Sequence, residues 1–303
     1  MNTLLHEYKN GNAEIKIYSD GTRICETEDD EFKFEVPLNM DIKITNKCDM
    51  GCLECHENSI PNGKHAELES FKFLDSWLLG CEAAIGGGMV TEHPKFIEIL
   101  KLFKSKGIIT NATFHQDEFV ENFELIKQLQ EDGLLYGIGV SLHKPNHELI
   151  CCVNQLNNVV LHVIAGLTND KQLKYIYENC WNKKILILGY KTFRRGLNLY
   201  FNQKETIDKN IEMLRINLPK LIGKFDVVSF DNLALEQLDV KSLVSEKLWN
   251  KFYQGDEGSS NMYIDAVEKK FARNSTSEIR HDLQDDVKNM FKIIKEKIIN
   301  EKK

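Results

Sequence analysis

Cys48, Cys52 and Cys55 stand at C-x3-C-x2-C spacing, the densest group of metal-binding side chains in the sequence. Three is the informative count. A closed structural zinc site or an ordinary electron-transfer cluster wants four protein ligands, whereas three thiolates on a [4Fe–4S] cube leave one iron for something that is not protein. The run continues through His56, Glu57 and Asn58, polar groups that either satisfy the loop backbone or donate to a bound group. A zinc site completed by His56, and three reduced thiols that merely fall at this spacing, are the competing readings.

Further along, the apolar run Cys81–Ile85 ends in Gly86, Gly87 and Gly88. A strand ending in consecutive glycines lets a ligand come close to the backbone, because no Cβ stands in the way. Other polar residues fall after apolar runs, where parallel β/α folds keep their chemistry. These are Thr110 and Asn111, Ser141 and His143, Lys191, Arg194 and Arg195, then Asp231, Asn232 and Gln237.

The cysteine triplet directly after a strand-like run, with the glycines behind it, resembles the signature of the radical S-adenosylmethionine (radical SAM) superfamily. The resemblance implies that Cys48, Cys52 and Cys55 hold a [4Fe–4S] cluster. The amino and carboxylate groups of S-adenosylmethionine would chelate the open iron, and one electron would release a 5′-deoxyadenosyl radical that takes hydrogen from a substrate. Gly86, Gly87 and Gly88 would be the cofactor-binding glycine turn, with Met89 and Val90 where the family has Glu-Pro. Thr110 and Asn111 match the family's third-strand Thr-Asn pair, and Ser141 with His143 the fourth-strand position that contacts ribose or carboxylate. Arg195 would clamp a carboxylate. Glu54, after Leu53, replaces the aromatic residue that the family usually packs near the adenine. The implied partners are a peptide or small-molecule substrate, with a nucleoside or other metabolite as the alternative, and an electron donor of the flavodoxin or ferredoxin kind.

The elements that would position these residues follow from periodicity. Ala13–Tyr18 and Thr22–Cys25 alternate around Ser19-Asp20-Gly21, a hairpin, and the acidic stretch Glu26–Glu31 leads to Pro37. Strands are expected at Met40–Thr45, Cys81–Ile85, Ile108–Phe114, Leu134–Ser141, Asn158–Ile164 and Lys184–Tyr190, with a seventh at Val227–Phe230. Helical stripes fall at 67–79, 94–106 and 118–129. Alternation of strand and helix is the mark of parallel βαβ units, and near-continuous apolar runs read as strands covered on both faces. The expected fold is α/β: a partial (β/α)6-type, TIM-like barrel over 39–230, an N-terminal β-hairpin and linker over 1–38, and a C-terminal strand/helix extension over 231–303. In that extension 262–267 reads as a strand and 282–299 as an amphipathic brace.

Composition agrees with a globular enzyme: 303 residues, 42% hydrophobic and 28% charged. A net charge of −7 argues against tight binding of a nucleic-acid backbone. No apolar run reaches membrane-spanning length, and the N-terminus lacks a signal peptide's apolar core, so a cytoplasmic protein without a membrane partner is expected. Eight cysteines in such a chain read as metal ligands and buried thiols; beyond the triplet they form no second C-x-x-C group, so no auxiliary cluster is expected.

Overall fold

The computed structural model describes residues 3–180 and 183–301, with side chains as far as 296. Strands β1 (Leu4–Asn10), β2 (Ala13–Tyr18) and β3 (Arg23–Glu26) form an antiparallel sheet in that order. Ala13, Ile15 and Ile17 alternate inward and are buried, which is the period-two pattern of a half-covered strand. The hairpin expected from the sequence is β2–β3; β1 escaped notice because its inward residues are His6, Tyr8 and Asn10, not apolar ones.

The main sheet has ten strands. Seven run parallel and in chain order: β4 (Asn39–Thr45), β5 (Glu82–Gly87), β6 (Ile109–His115), β7 (Gly137–Ser141), β8 (Val159–Ile164), β9 (Lys184–Leu188) and β10 (Val227–Phe230). Helices α1 (Phe96–Ser105), α2 (Gln116–Glu121), α3 (Phe123–Glu131), α4 (His147–Val153), α5 (Asp170–Asn179) and α6 (Arg195–Leu221) lie between them in the chain. After β10, α7 (Asn232–Gln237), α8 (Val240–Leu243) and α9 (Glu246–Phe252) lead to β11 (Asn261–Asp265). Strand β11 pairs in parallel with the other side of β4, and β12 (Lys270–Ala272) and β13 (His281–Asp282) follow antiparallel. Residues beyond 230 are thus woven into the sheet beside the cysteine strand. The last helix is α10 (Val287–Glu301), whose Val287, Met290, Phe291 and Ile294 are buried. No helix among the described residues is long and apolar enough to cross a membrane.

The two faces of this sheet differ, contrary to the expectation of strands covered equally on both sides. One face carries Met40, Ile42, Ile44, Ala83, Ile85, Phe114, Ile138, Val140, Leu161, Ile185 and Ile187, all buried in the core. The other carries Asp41, Lys43, Asn111, Thr113, His115 and Ser141, interleaved with Gly86, Gly137 and Gly139. Glycine and alanine on this second face made the runs look uniformly apolar in the sequence.

Three helical expectations change. Residues 67–79 contain a 3-10 stretch, Leu68–Ser76, broken at Phe71 (φ −101, ψ 15). The helix at 118–129 is two, α2 and α3, meeting at Asn122. The 27-residue α6, kinked at Gln203, was not among the expected helices, although its second half carries a stripe at helical spacing: Ile207, Leu214, Leu218 and Leu221 are buried and Ile211 packs against the core.

Candidate functional site

Strand β4 ends at Thr45 and delivers the cysteine loop at the C-terminal edge of the parallel strands. The loop is stitched by its own backbone: the Cys48 N–H donates to the Ile60 carbonyl (2.9 Å), the Ile60 N–H to that of Asn46 (3.0 Å), and the Asn58 N–H to that of Cys55 (3.3 Å). Cys48, Cys52 and Cys55 are free and half-buried. Burial pushes the Cys52 thiol up to about 12, helped by Glu54, Cys55 and Cys48. Burial also raises Cys48, against a hydrogen bond from Met50 and with a further rise from Cys55. Three half-exposed, unbridged thiols on one short loop are a donor set that a bound cation can convert to thiolates. The residues present therefore fit a cluster held by three thiolates, with one iron left for a ligand that is not protein. The other cysteines lie elsewhere: Cys25 in β3, Cys81 before β5, Cys151 and Cys152 in α4, Cys180 after α5.

Ring nitrogens of His115 and His143 also come within 4.8 Å of the Cys52 sulfur and of each other. The two imidazoles stack, with centroids 4.2 Å apart and planes at 28°. In-plane lone pairs on stacked rings do not converge on an ion about 2.0–2.1 Å from each nitrogen, so this trio does not chelate as it stands. His56, the residue that a zinc site would recruit, faces Lys191 Nζ instead (3.3 Å). Burial, then Lys191 and Arg194, hold His56 well below its ordinary value.

The glycine turn packs on the loop. The Gly88 N–H donates to the Thr45 carbonyl (2.8 Å) and the Met89 N–H to the Lys47 carbonyl (2.9 Å). Gly87 has φ +118, and a Cβ there would lie 2.4 Å from the Thr45 oxygen; at Gly88 it would lie 2.1 Å from the Lys47 oxygen. Both glycines are therefore required for backbone to meet backbone. Only Gly86 faces open space, where a Cβ would find nothing within 4 Å.

Ser141 ends β7 in register with His115 on β6 and His162 on β8. His143 follows, its Nδ1 3.4 Å from Glu54 Oε1. Glu54 thus reaches the His143 ring from the position where an aromatic side chain was expected. His115 Nδ1 accepts from the Asp117 N–H (3.1 Å), capping α2, and burial followed by the neighbouring His143 lowers it to about 4. Burial likewise lowers His143, with Glu54 opposing.

Arg195 donates from Nη1 to the Cys52 carbonyl (3.2 Å) and from Nη2 to the Ser59 carbonyl, while its buried Nε finds no partner. Arg194 donates to the Glu57 carbonyl (2.8 Å). The start of α6 thus clamps the main chain of the cysteine loop, where the sequence reading had Arg195 holding a carboxylate.

Thr110 and Asn111 are not brought to this edge. They are the second and third residues of β6, five and four residues before its last residue, His115. Thr110 lies on the apolar face with its hydroxyl unpartnered, and Asn111 accepts from the Gly137 N–H (2.8 Å) and donates to Glu82 (3.5 Å). Matching residue types without strand direction put them at the wrong end. Asp231 and Gln237 serve the backbone: Asp231 accepts from the Ala234 N–H (2.7 Å) and the Gly189 N–H (2.9 Å), and Gln237 bonds both the N–H and carbonyl of Tyr190. Asn232 donates to the Gly255 carbonyl (3.3 Å).

Sequence reasoning missed two members of this edge, His115 and Glu118. Glu118 accepts from the Thr91 N–H (3.0 Å) and hydroxyl (2.8 Å) and from the His115 N–H (3.4 Å), tying the chain after the glycine turn to the end of β6; burial pushes it up to about 7. The spacing His115-x-x-Glu118, a capping box in which histidine stands for serine, was the signal available. Asp41, on the same face lower down, is reached by solvent yet surrounded by protein; burial pushes it up to about 6, with Lys191 pulling the other way.

Fold and loop together define an α/β protein that presents three cysteines at the C-terminal edge of a parallel sheet, above its polar face. No family model matches the chain. It is 29% identical over 145 residues, 45% of the chain, to the antilisterial bacteriocin subtilosin biosynthesis protein AlbA of Bacillus subtilis (strain 168). The match covers 31% of AlbA, so the chain spans under a third of that relative. Among solved structures, it superposes on Streptococcus suis SuiB bound to the precursor peptide SuiA with a TM-score of 0.51 and 14% identity, covering 82% of this chain and 63% of that one. For SuiB bound to S-adenosylmethionine the values are 0.50, 14%, 82% and 64%. The cysteine spacing and this fold are thus similar to what the sequence resemblance to the radical SAM superfamily implies.

Proposed function

We propose that the chain reductively cleaves S-adenosylmethionine at a [4Fe–4S] cluster and modifies a peptide. The observation that carries this is the placement of Cys48, Cys52 and Cys55 on a backbone-stitched loop at the edge of the polar face. When bound, cluster and cofactor supply a 5′-deoxyadenosyl radical that abstracts hydrogen. The chain's own residues orient and enclose. Gly86 leaves room for the methionine moiety, Ser141 and His143 line its path, and Gly87, Gly88 and Arg195 hold the loop. The sheet curves as a partial barrel over 39–230, with 1–38 as a cap and 231–303 as an extension that contributes β11. The peptide assignment is supported by two likenesses, one to a bacteriocin biosynthesis protein and one to a structure with a bound precursor peptide. A reduced flavodoxin or ferredoxin would supply the electron, and reduced thiols suit the cytoplasm.

The test is anaerobic reconstitution followed by dithionite and S-adenosylmethionine, with 5′-deoxyadenosine as the readout. A brown protein that releases it, faster with the cognate peptide, supports the reading. A colourless protein that takes up one zinc and yields none overturns it.

A further inference from the structure

Glu57 stands two residues after Cys55 and is only 6% exposed. A buried carboxylate is costly unless paired, so its partners report what the loop needs. Lys43 Nζ on β4 lies 3.2 Å from Glu57 and 3.3 Å from Asp265 on β11. The Tyr263 hydroxyl, also on β11, donates to Glu57 Oε1 (2.9 Å) and lies 3.1 Å from Oε2. Arg280 closes the group, 3.8 Å from Asp265 and 5.1 Å over the Tyr263 ring. Two cations face two carboxylates, so the cluster of charges is neutral overall. The register of the sheet makes this possible, because Tyr263 pairs with Asp41 and Asp265 with Lys43, putting all four on the polar face. The stem of Lys43 also lies beneath the glycine turn, where a Cβ on Gly87 would come 2.9 Å from Lys43 Cγ.

We propose that Glu57 and Tyr263 are positioning residues for the iron–sulfur cluster: β11, 206 residues downstream in the chain, fixes the cysteine loop by gripping the carboxylate that follows Cys55. This rests on the cluster reading given above. A loop held only by its own backbone and by α6 would be anchored through main chain alone. The Glu57 carboxylate adds a side-chain anchor from the opposite direction, and groups that orient metal ligands in this way commonly alter metal affinity 10–100-fold when removed, an order-of-magnitude figure.

The experiment compares the full chain with Tyr263→Phe and Glu57→Gln after anaerobic reconstitution. Tyr136→Phe is the control, since it removes a phenol hydrogen bond (to the Tyr18 carbonyl, 2.6 Å) that joins the sheet to the N-terminal strands. The readouts are the rate of iron loss to excess chelator and the electron paramagnetic resonance spectrum of the reduced cluster, with and without S-adenosylmethionine. Expected are iron loss faster by roughly tenfold and a changed spectrum in both variants, with the control like the parent. Parent-like iron loss and spectra in Tyr263→Phe, or equal acceleration in Tyr136→Phe, overturn the proposal. If Glu57→Gln fails to fold, Tyr263→Phe decides, because it removes one oxygen and leaves every charge paired. A parent chain that takes up no iron defeats the cluster reading itself, a different failure.

Discussion

Gly86 and Gly88 are neighbours with opposite tolerances. A valine at Gly86 enters open space, and its β-branch suits a strand. Gly86→Val should therefore keep the cysteine loop and its iron while weakening S-adenosylmethionine binding at least about tenfold, an isothermal titration measurement. Gly88→Val instead drives a side chain into the Lys47 carbonyl and should lower iron content directly. Unchanged cofactor affinity in Gly86→Val would remove this glycine from the cofactor's path. A buried histidine gives a second prediction. Burial lowers His162 to about 4, below the ordinary value near 6.5. A depressed pKa means that the unfolded chain binds the proton first on acidification, so stability falls as pH drops through 6.5 toward 4. Between pH 7 and pH 5 the loss is about 2 kcal/mol. Urea unfolding of metal-free protein should show it, and His162→Gln should flatten that part of the profile.

At the scale of elements, the sequence made β4 to β11 readable because the strands kept one mainly apolar face, Met40, Ile42 and Ile44 being the pattern and Thr110 an exception. It left α6 unread although Ile207, Leu214, Leu218 and Leu221 recur at helical spacing, because the first half of the helix, tied down by Arg194 and Arg195 at its start, shows no such pattern. The cysteine triplet stood out because its spacing is local. Lys43, Glu57, Tyr263 and Asp265 did not, because their meeting depends on β11 lying beside β4, a pairing that no local period encodes. Asp231 shows the converse, a polar residue at a strand end that looked like a substrate contact and caps α7. Asp231→Ala should cost about 1–2 kcal/mol, the usual range for a lost N-cap, while 5′-deoxyadenosine release per bound cluster stays at the parent rate. A fall in peptide-dependent release at unchanged stability would return Asp231 to the substrate site.

Across the whole molecule the two ends of the parallel strands have different work. The C-terminal edge carries Cys48 to Cys55, Gly86, His115 and Ser141, while the N-terminal end is closed by the small antiparallel sheet. Arg23 on β3 meets Glu82 at the start of β5 (3.0 Å), and the Tyr136 hydroxyl donates to the Tyr18 carbonyl. Both Arg23 and Glu82 are mostly buried, at 15% and 17% side-chain exposure, so removing one leaves the other poorly solvated. In β/α folds the N-terminal face serves stability and the C-terminal face chemistry. Arg23→Ala should then lower unfolding free energy by about 2 kcal/mol, below the cost of breaking a fully buried pair because both groups keep some solvent. Iron content, the cluster spectrum and S-adenosylmethionine affinity should match the parent at a temperature where both are folded. Weaker cofactor binding in an Arg23→Ala protein with parent-like urea unfolding would mean that the N-terminal sheet reaches the site, and that the division between the two ends is wrong.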